Sequence, residues 1–90
     1  MGRFHEIIAE KGFEVTGQDE EKIQIQKETN NNDFVIIFDK KNKYINGMLI
    51  PKRYIVTLKE LEILNKEFGE LKQHLEEFAK LSNYTLINKS

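Results

Sequence analysis

The chain contains no cysteine and no tryptophan, a single proline, and only five glycines in 90 residues. Without a thiol there is no disulfide to staple the fold, no thiolate nucleophile and no sulfur ligand for a metal. That usage suits the reducing cytoplasm. No apolar run approaches the roughly 18 residues that a membrane-spanning helix needs, and the opening residues lack the basic-then-apolar profile of a secretory signal. Met1-Gly2 resembles a myristoylation start, but that pattern wants Ser or Thr where the chain has Glu6. A soluble, cytoplasmic protein with no membrane association is expected.

Catalytic motifs are equally scarce. The scattered glycines form neither G-x-x-x-x-G-K nor G-x-G-x-x-G, so there is no phosphate loop. The only serines, Ser82 and Ser90, lie in the tail, and His5 and His74 stand far apart with no H-E-x-x-H pattern. A metal site needs several nitrogen or oxygen ligands converging at defined spacing, which these residues do not offer. Glu76 and Glu77 are adjacent, and adjacent residues on a helix do not face each other as an acid and a base must. No catalytic residue, cofactor or metal is expected, and the chain reads as non-enzymatic.

What is present suits one folded domain spanning residues 1–90. An apolar share of 39% against 32% charged is that of a globular protein rather than a disordered one. Six Phe and three Tyr can supply the bulk of a small core. Phe4, Ile7 and Ile8 fall at helical spacing and Gly12 follows at a capping position, so Arg3–Lys11 reads as a short first helix. Phe13 and Val15 then extend, and Gly17 marks a turn within a polar run. Lys22–Glu28 alternates apolar and polar as a half-exposed antiparallel strand does. After a turn at Thr29–Asp33 comes Phe34-Val-Ile-Ile-Phe38, apolar at every position and so a central strand with both faces covered.

A second turn is expected at Asp39–Asn42, with a third strand from Lys43 to about Gly47. Asn46-Gly47 is a competing hairpin signal. Met48–Ile50 and Tyr54–Val56 flank Pro51, which excludes a central-strand position there. Thr57 and Glu60 form a capping box, with Val56 and Leu61 at the staple positions. Leu61, Leu64, Phe68, Leu71, Leu75 and Phe78 then recur at alternating steps of three and four. This stripe predicts one helix to about Leu81, bent or not at Gly69, lying across the sheet with its apolar side down. Pairing of that stripe between two chains is the sharper alternative. Residues 82–90 either fray or add a short strand at Tyr84–Ile87. The expected fold is therefore α+β: an antiparallel sheet of three to four strands, a short N-terminal helix and a long C-terminal helix.

The net charge of −1 excludes both a wholly basic nucleic-acid binder and an acidic mimic of DNA. Its distribution is uneven. Residues 39–54 carry Lys40, Lys41, Lys43, Lys52 and Arg53 against Asp39 alone, while the rest of the chain is acidic. Tyr44 and Tyr54 stand beside the two cationic groups. Cations with an aromatic platform are what a single-stranded nucleic acid or a phosphate-bearing partner requires; lysines that merely solvate a hairpin and guard a sheet edge give the same pattern. These seven residues, Lys40, Lys41, Lys43, Tyr44, Lys52, Arg53 and Tyr54, are the candidate binding site.

The apolar run Phe34–Phe38 needs cover on both faces, yet only one long helix is available. Either the first helix covers the second face or another chain does. The leading expectation is thus a non-catalytic protein-binding module, self-associating or bound to a larger protein through the sheet edge and the 40–54 surface. Nucleic-acid binding through the basic stretch is the alternative. The order helix–strands–helix in under a hundred residues is similar to that of small phage-encoded proteins that inhibit host machinery. The Lys-, Asn- and Ile-rich composition fits a low-GC bacterium or its phage.

Overall fold

The computed structural model describes residues 2–54 and 57–86, with side chains from residue 5 onward. The chain runs through α1 (Gly2–Glu10), β1 (Glu14–Gln18), β2 (Lys22–Glu28), β3 (Asn32–Asp39), β4 (Tyr44–Pro51), α2 (Leu58–Ser82) and β5 (Thr85–Leu86). The five strands form one sheet in chain order, antiparallel except for the short parallel β4–β5 pair.

Local chemistry accounts for most of the boundaries. Gly12, at φ 86°, closes α1. Its N–H donates to the Ala9 carbonyl and that of Phe13 to Ile8, leaving Ile8 and Phe13 side by side in the core. The carboxylate of Asp19 accepts from the N–H groups of Glu21 and Lys22 at 2.7 and 2.8 Å, which makes the β1–β2 turn. Asp39 does the same for Lys41 and Asn42, and Lys43 then takes a left-handed conformation to enter β4. At the start of α2, Thr57 Oγ1 accepts from the Glu60 N–H at 3.1 Å and donates to the Glu60 carboxylate. The threonine half of the capping box is formed as its spacing predicts, and the Glu60 carboxylate reaches back to the Thr57 hydroxyl. Its staple partner, Val56, lies outside the described residues, as do Ile55, Ile87 and the side chain of Phe4.

Two expectations shift, and two points left open are decided. The sheet has five strands rather than three or four. Gly17 sits inside β1 beside a bulge between Val15 and Gly17, and the turn comes later, because Asp19 supplies a better anchor for two N–H groups. Asn46-Gly47 is not a turn. Both residues lie within β4, paired with Ile37 and Ile36. As expected, α2 is one helix through Gly69, where an added Cβ would meet nothing within 4 Å.

The core lies between one face of the sheet and both helices. Ile25, Phe34, Ile36, Phe38 and Ile45 point inward from β2, β3 and β4, meeting Leu71 and Phe78 of α2 and Ile8 of α1. Phe78 contacts Phe13 and Phe38 edge-on, with ring centroids at 5.5 and 6.1 Å. A Lys11–Glu77 ion pair at 3.2 Å ties the two helices together. Only half of the apolar stripe on α2 is spent here. Leu71 and Phe78 are buried, Leu64 and Leu75 half-buried, and Leu61 and Phe68 exposed. The two rows stand about 60° apart around a helix of 3.6 residues per turn, so Leu71 and Phe78 face the sheet while Leu61 and Phe68 lie on the flank, with Leu75 reaching the core from that second row.

Candidate functional site

The structure separates the basic stretch into two groups. Lys40, Lys41 and Lys43 sit on the β3–β4 turn with Tyr44 opening β4; Lys52, Arg53 and Tyr54 follow Pro51 at the far end of that strand. Eight residues of strand put roughly 23 Å between them. Much of the charge is also matched locally. Lys52 pairs with Glu28 at 3.3 Å, and Arg53 approaches Glu60 at 3.8 Å while donating to the Asn31 side chain at 3.5 Å. Lys43 lies over the Tyr84 ring, 5.2 Å from its centroid. Tyr44 is half-exposed on the outer sheet face, whereas Tyr54 stands almost fully in solvent at 91% exposure. The seven residues fall into two groups at opposite ends of β4.

Sequence reasoning missed one polar side chain under α2, Glu67; His74, between Leu71 and Leu75, was expected to flank the apolar stripe. Glu67 faces inward, and its carboxylate accepts from the amide of Asn32 and from the Thr29 hydroxyl. Thr29 Oγ1 in turn accepts from the N–H groups of Asn31 and Asn32 at 3.3 and 3.0 Å. The β2–β3 turn is thereby knotted to the helix through two buried polar groups, Asn32 and Glu67. The signal was readable: Glu67 falls on the same helical face as Leu71 and Phe78. His74 sits among the rings of Phe13, Phe34 and Phe78. Burial lowers its pKa below the usual 6.5, with Lys27 and Lys11 adding to the shift and Glu77 and Glu70 opposing it. Its Nδ1 finds no hydrogen-bond partner among the described residues. Both residues do structural work. Among the described residues no three His, Asp or Glu side chains converge to hold a metal, and no helix is long and apolar enough to cross a membrane.

Two apolar surfaces remain. The first is a flank of α2, where Leu58 is 80% exposed and Leu61 and Phe68 about half so. At steps of three and seven they form a line along one side of the helix, interrupted by Asn65. The second is the outer face of the sheet, part apolar and part amide, where register aligns Gln26, Val35 and Met48 in one row and Gln24, Ile37 and Asn46 in the next; Met48 is 47% exposed, Ile37 half-buried, and Val35, between its neighbours, only 5% exposed. Tyr44 and Ile50 stand at the two ends of β4 on that face. Because Ile8, Phe13 and Lys11 all join the α2 side, neither helix covers it. No protein-family model matches the chain, and neither a curated protein nor a solved structure does.

Proposed function

We propose that the protein is a non-catalytic protein-binding module, a phage or mobile-element inhibitor or regulator that acts by docking on a host protein. The observation that carries this reading is the exposed line Leu58, Leu61 and Phe68 on α2. Helices that only roof a sheet carry polar residues on their outward flank. Three large apolar groups spaced along one helix flank match the anchor pattern by which a helix lies in a partner's groove. Glu62 and Lys72, each four residues from an anchor, border the line with one charge of either sign, the arrangement found around a desolvated contact centre. The division of the cations between two ends of β4 favours this reading over a nucleic-acid surface.

The test is an affinity pull-down from bacterial lysate, with and without nuclease, using the wild type and a Leu58→Glu/Phe68→Glu variant. Retention of a protein after nuclease, and its loss in the variant, is the expected result. Retention that vanishes with nuclease, or with Lys40→Glu/Lys41→Glu alone, would replace the helix flank with the basic turn.

A further inference from the structure

We infer that the outer face of the sheet is a self-association surface, on which a second copy of this chain packs face to face. The inference rests on the sheet and is independent of the helix flank above.

The centre of this face is unusual for the protein that bears it. Thr16, Gln24, Gln26, Val35, Ile37, Asn46 and Met48 include no charged side chain, in a chain that is 32% charged. Charge appears only toward the rim: Lys22 and Asp39 at one end, Glu28 and Asp33 at the other, and Glu14 on β1. A neutral centre with methionine, a tyrosine at one end of β4 and a charged rim is the composition of a contact surface. A nucleic acid would need cations at that centre.

The pattern is also self-complementary. A twofold axis crossing the strands between Val35 and Ile37 lays β3 on β3 and β4 on β4 of the partner, running oppositely. Val35 then faces Ile37, Met48 faces Asn46, Ile50 faces Tyr44, and Gln26 faces Gln24. At the rim Glu28 comes opposite Lys22. Asp33 comes opposite Asp39, whose oxygens already accept from Asn42 and from the Lys41 N–H. The other twofold, along the strands, would set the acidic Glu28–Asp33 end against itself. Four strands about 4.8 Å apart and about 23 Å long offer roughly 450 Å² of flat face. Two copies would bury on the order of 1,000 Å², the lower bound of a specific interface, so dissociation in the micromolar range is expected.

Sedimentation equilibrium from about 1 to about 200 μM spans the dissociation of an interface this small. The wild type should move from the 10.6 kDa protomer to twice that mass across the series. Met48→Glu, which sets a carboxylate in the neutral centre, should stay monomeric at every concentration with an unchanged circular dichroism spectrum. Asn46→Lys serves the same purpose should Met48→Glu misfold, and Phe68→Glu should dimerise normally. A wild type that is monomeric throughout would overturn the inference while leaving the helix-flank reading intact. A dimer that survives both face substitutions, or is lost only with Phe68→Glu, would overturn it in favour of another interface.

Discussion

Replacing Gly47 by valine tests how closely α2 sits on the sheet. Gly47 lies on the inner face of β4, and a Cβ there would stand 3.0 Å from both Cδ atoms of Leu75 and 3.3 Å from its Cγ. Carbon atoms prefer about 3.5–4.0 Å, so even alanine needs Leu75 to yield by about half an ångström. A strand glycine carries an entropic penalty of roughly 0.5–1 kcal/mol relative to alanine, and Gly47→Ala should therefore come out near neutral. Valine adds two further methyls that must displace the Leu75 side chain or lift the helix. Overpacking of this kind costs about 1–3 kcal/mol, a large fraction of the stability of a small domain. Urea denaturation should show a lowered midpoint with an unchanged slope. In a double-mutant cycle, Leu75→Ala should recover on the order of 1 kcal/mol of the Gly47→Val loss. Strictly additive losses, or a Gly47→Val protein as stable as the wild type, would mean that α2 does not rest on β4 at this distance.

The other expectations concern the two polar side chains beneath α2. Glu67→Ala leaves the buried Asn32 amide without its acceptor and should cost about 1–3 kcal/mol in urea denaturation. Glu67→Gln keeps an acceptor oxygen and should cost less; equal losses would show that the Asn32 contact contributes nothing. His74 is held neutral by burial in the folded state and takes a proton near pH 6.5 once unfolded. Its folded pKa is therefore the lower one, so its contribution to stability is complete above pH 6.5 and declines as the pH falls through the folded value. Thermal melts at descending pH should show a loss in the wild type that is smaller in His74→Phe. Parallel pH profiles for the two proteins would remove His74 from the account.

Residues whose local chemistry determines their conformation were legible from sequence. The Thr57–Glu60 capping box, the Gly12 helix stop, the alternation of Lys22–Glu28 and the wholly apolar Phe34–Phe38 each set an element that the structure contains. Glycines misled, because the same residue serves unlike needs. Gly17 lies beside a bulge, and Gly47 leaves room for Leu75, which depends on the distance of a helix remote in sequence. The α2 stripe was read as lying on the sheet, with pairing between two chains as the alternative, but it is wider than the contact: Leu71 and Phe78 are buried and Leu75 reaches β4, while Leu61 and Phe68 stay exposed at the flank. The basic stretch was compact in sequence and not in space, since a straight strand of eight residues runs between its halves. Of the two ways to cover both faces of Phe34–Phe38, the first helix is not the one used: α1 joins α2 on the inner face, and on the outer side Val35 is only 5% exposed beneath its strand neighbours while Ile37 is half-buried.

The central claim, docking on a protein through apolar contacts, is tested most directly by the salt dependence of affinity for the captured partner. An interface anchored by Leu58, Leu61 and Phe68 should hold its affinity nearly constant between about 50 and about 200 mM salt, because few counterions are released. A fall on the order of tenfold or more over that range, together with loss of binding in Lys40→Glu/Lys41→Glu, would contradict the account and assign the contact to the basic turn.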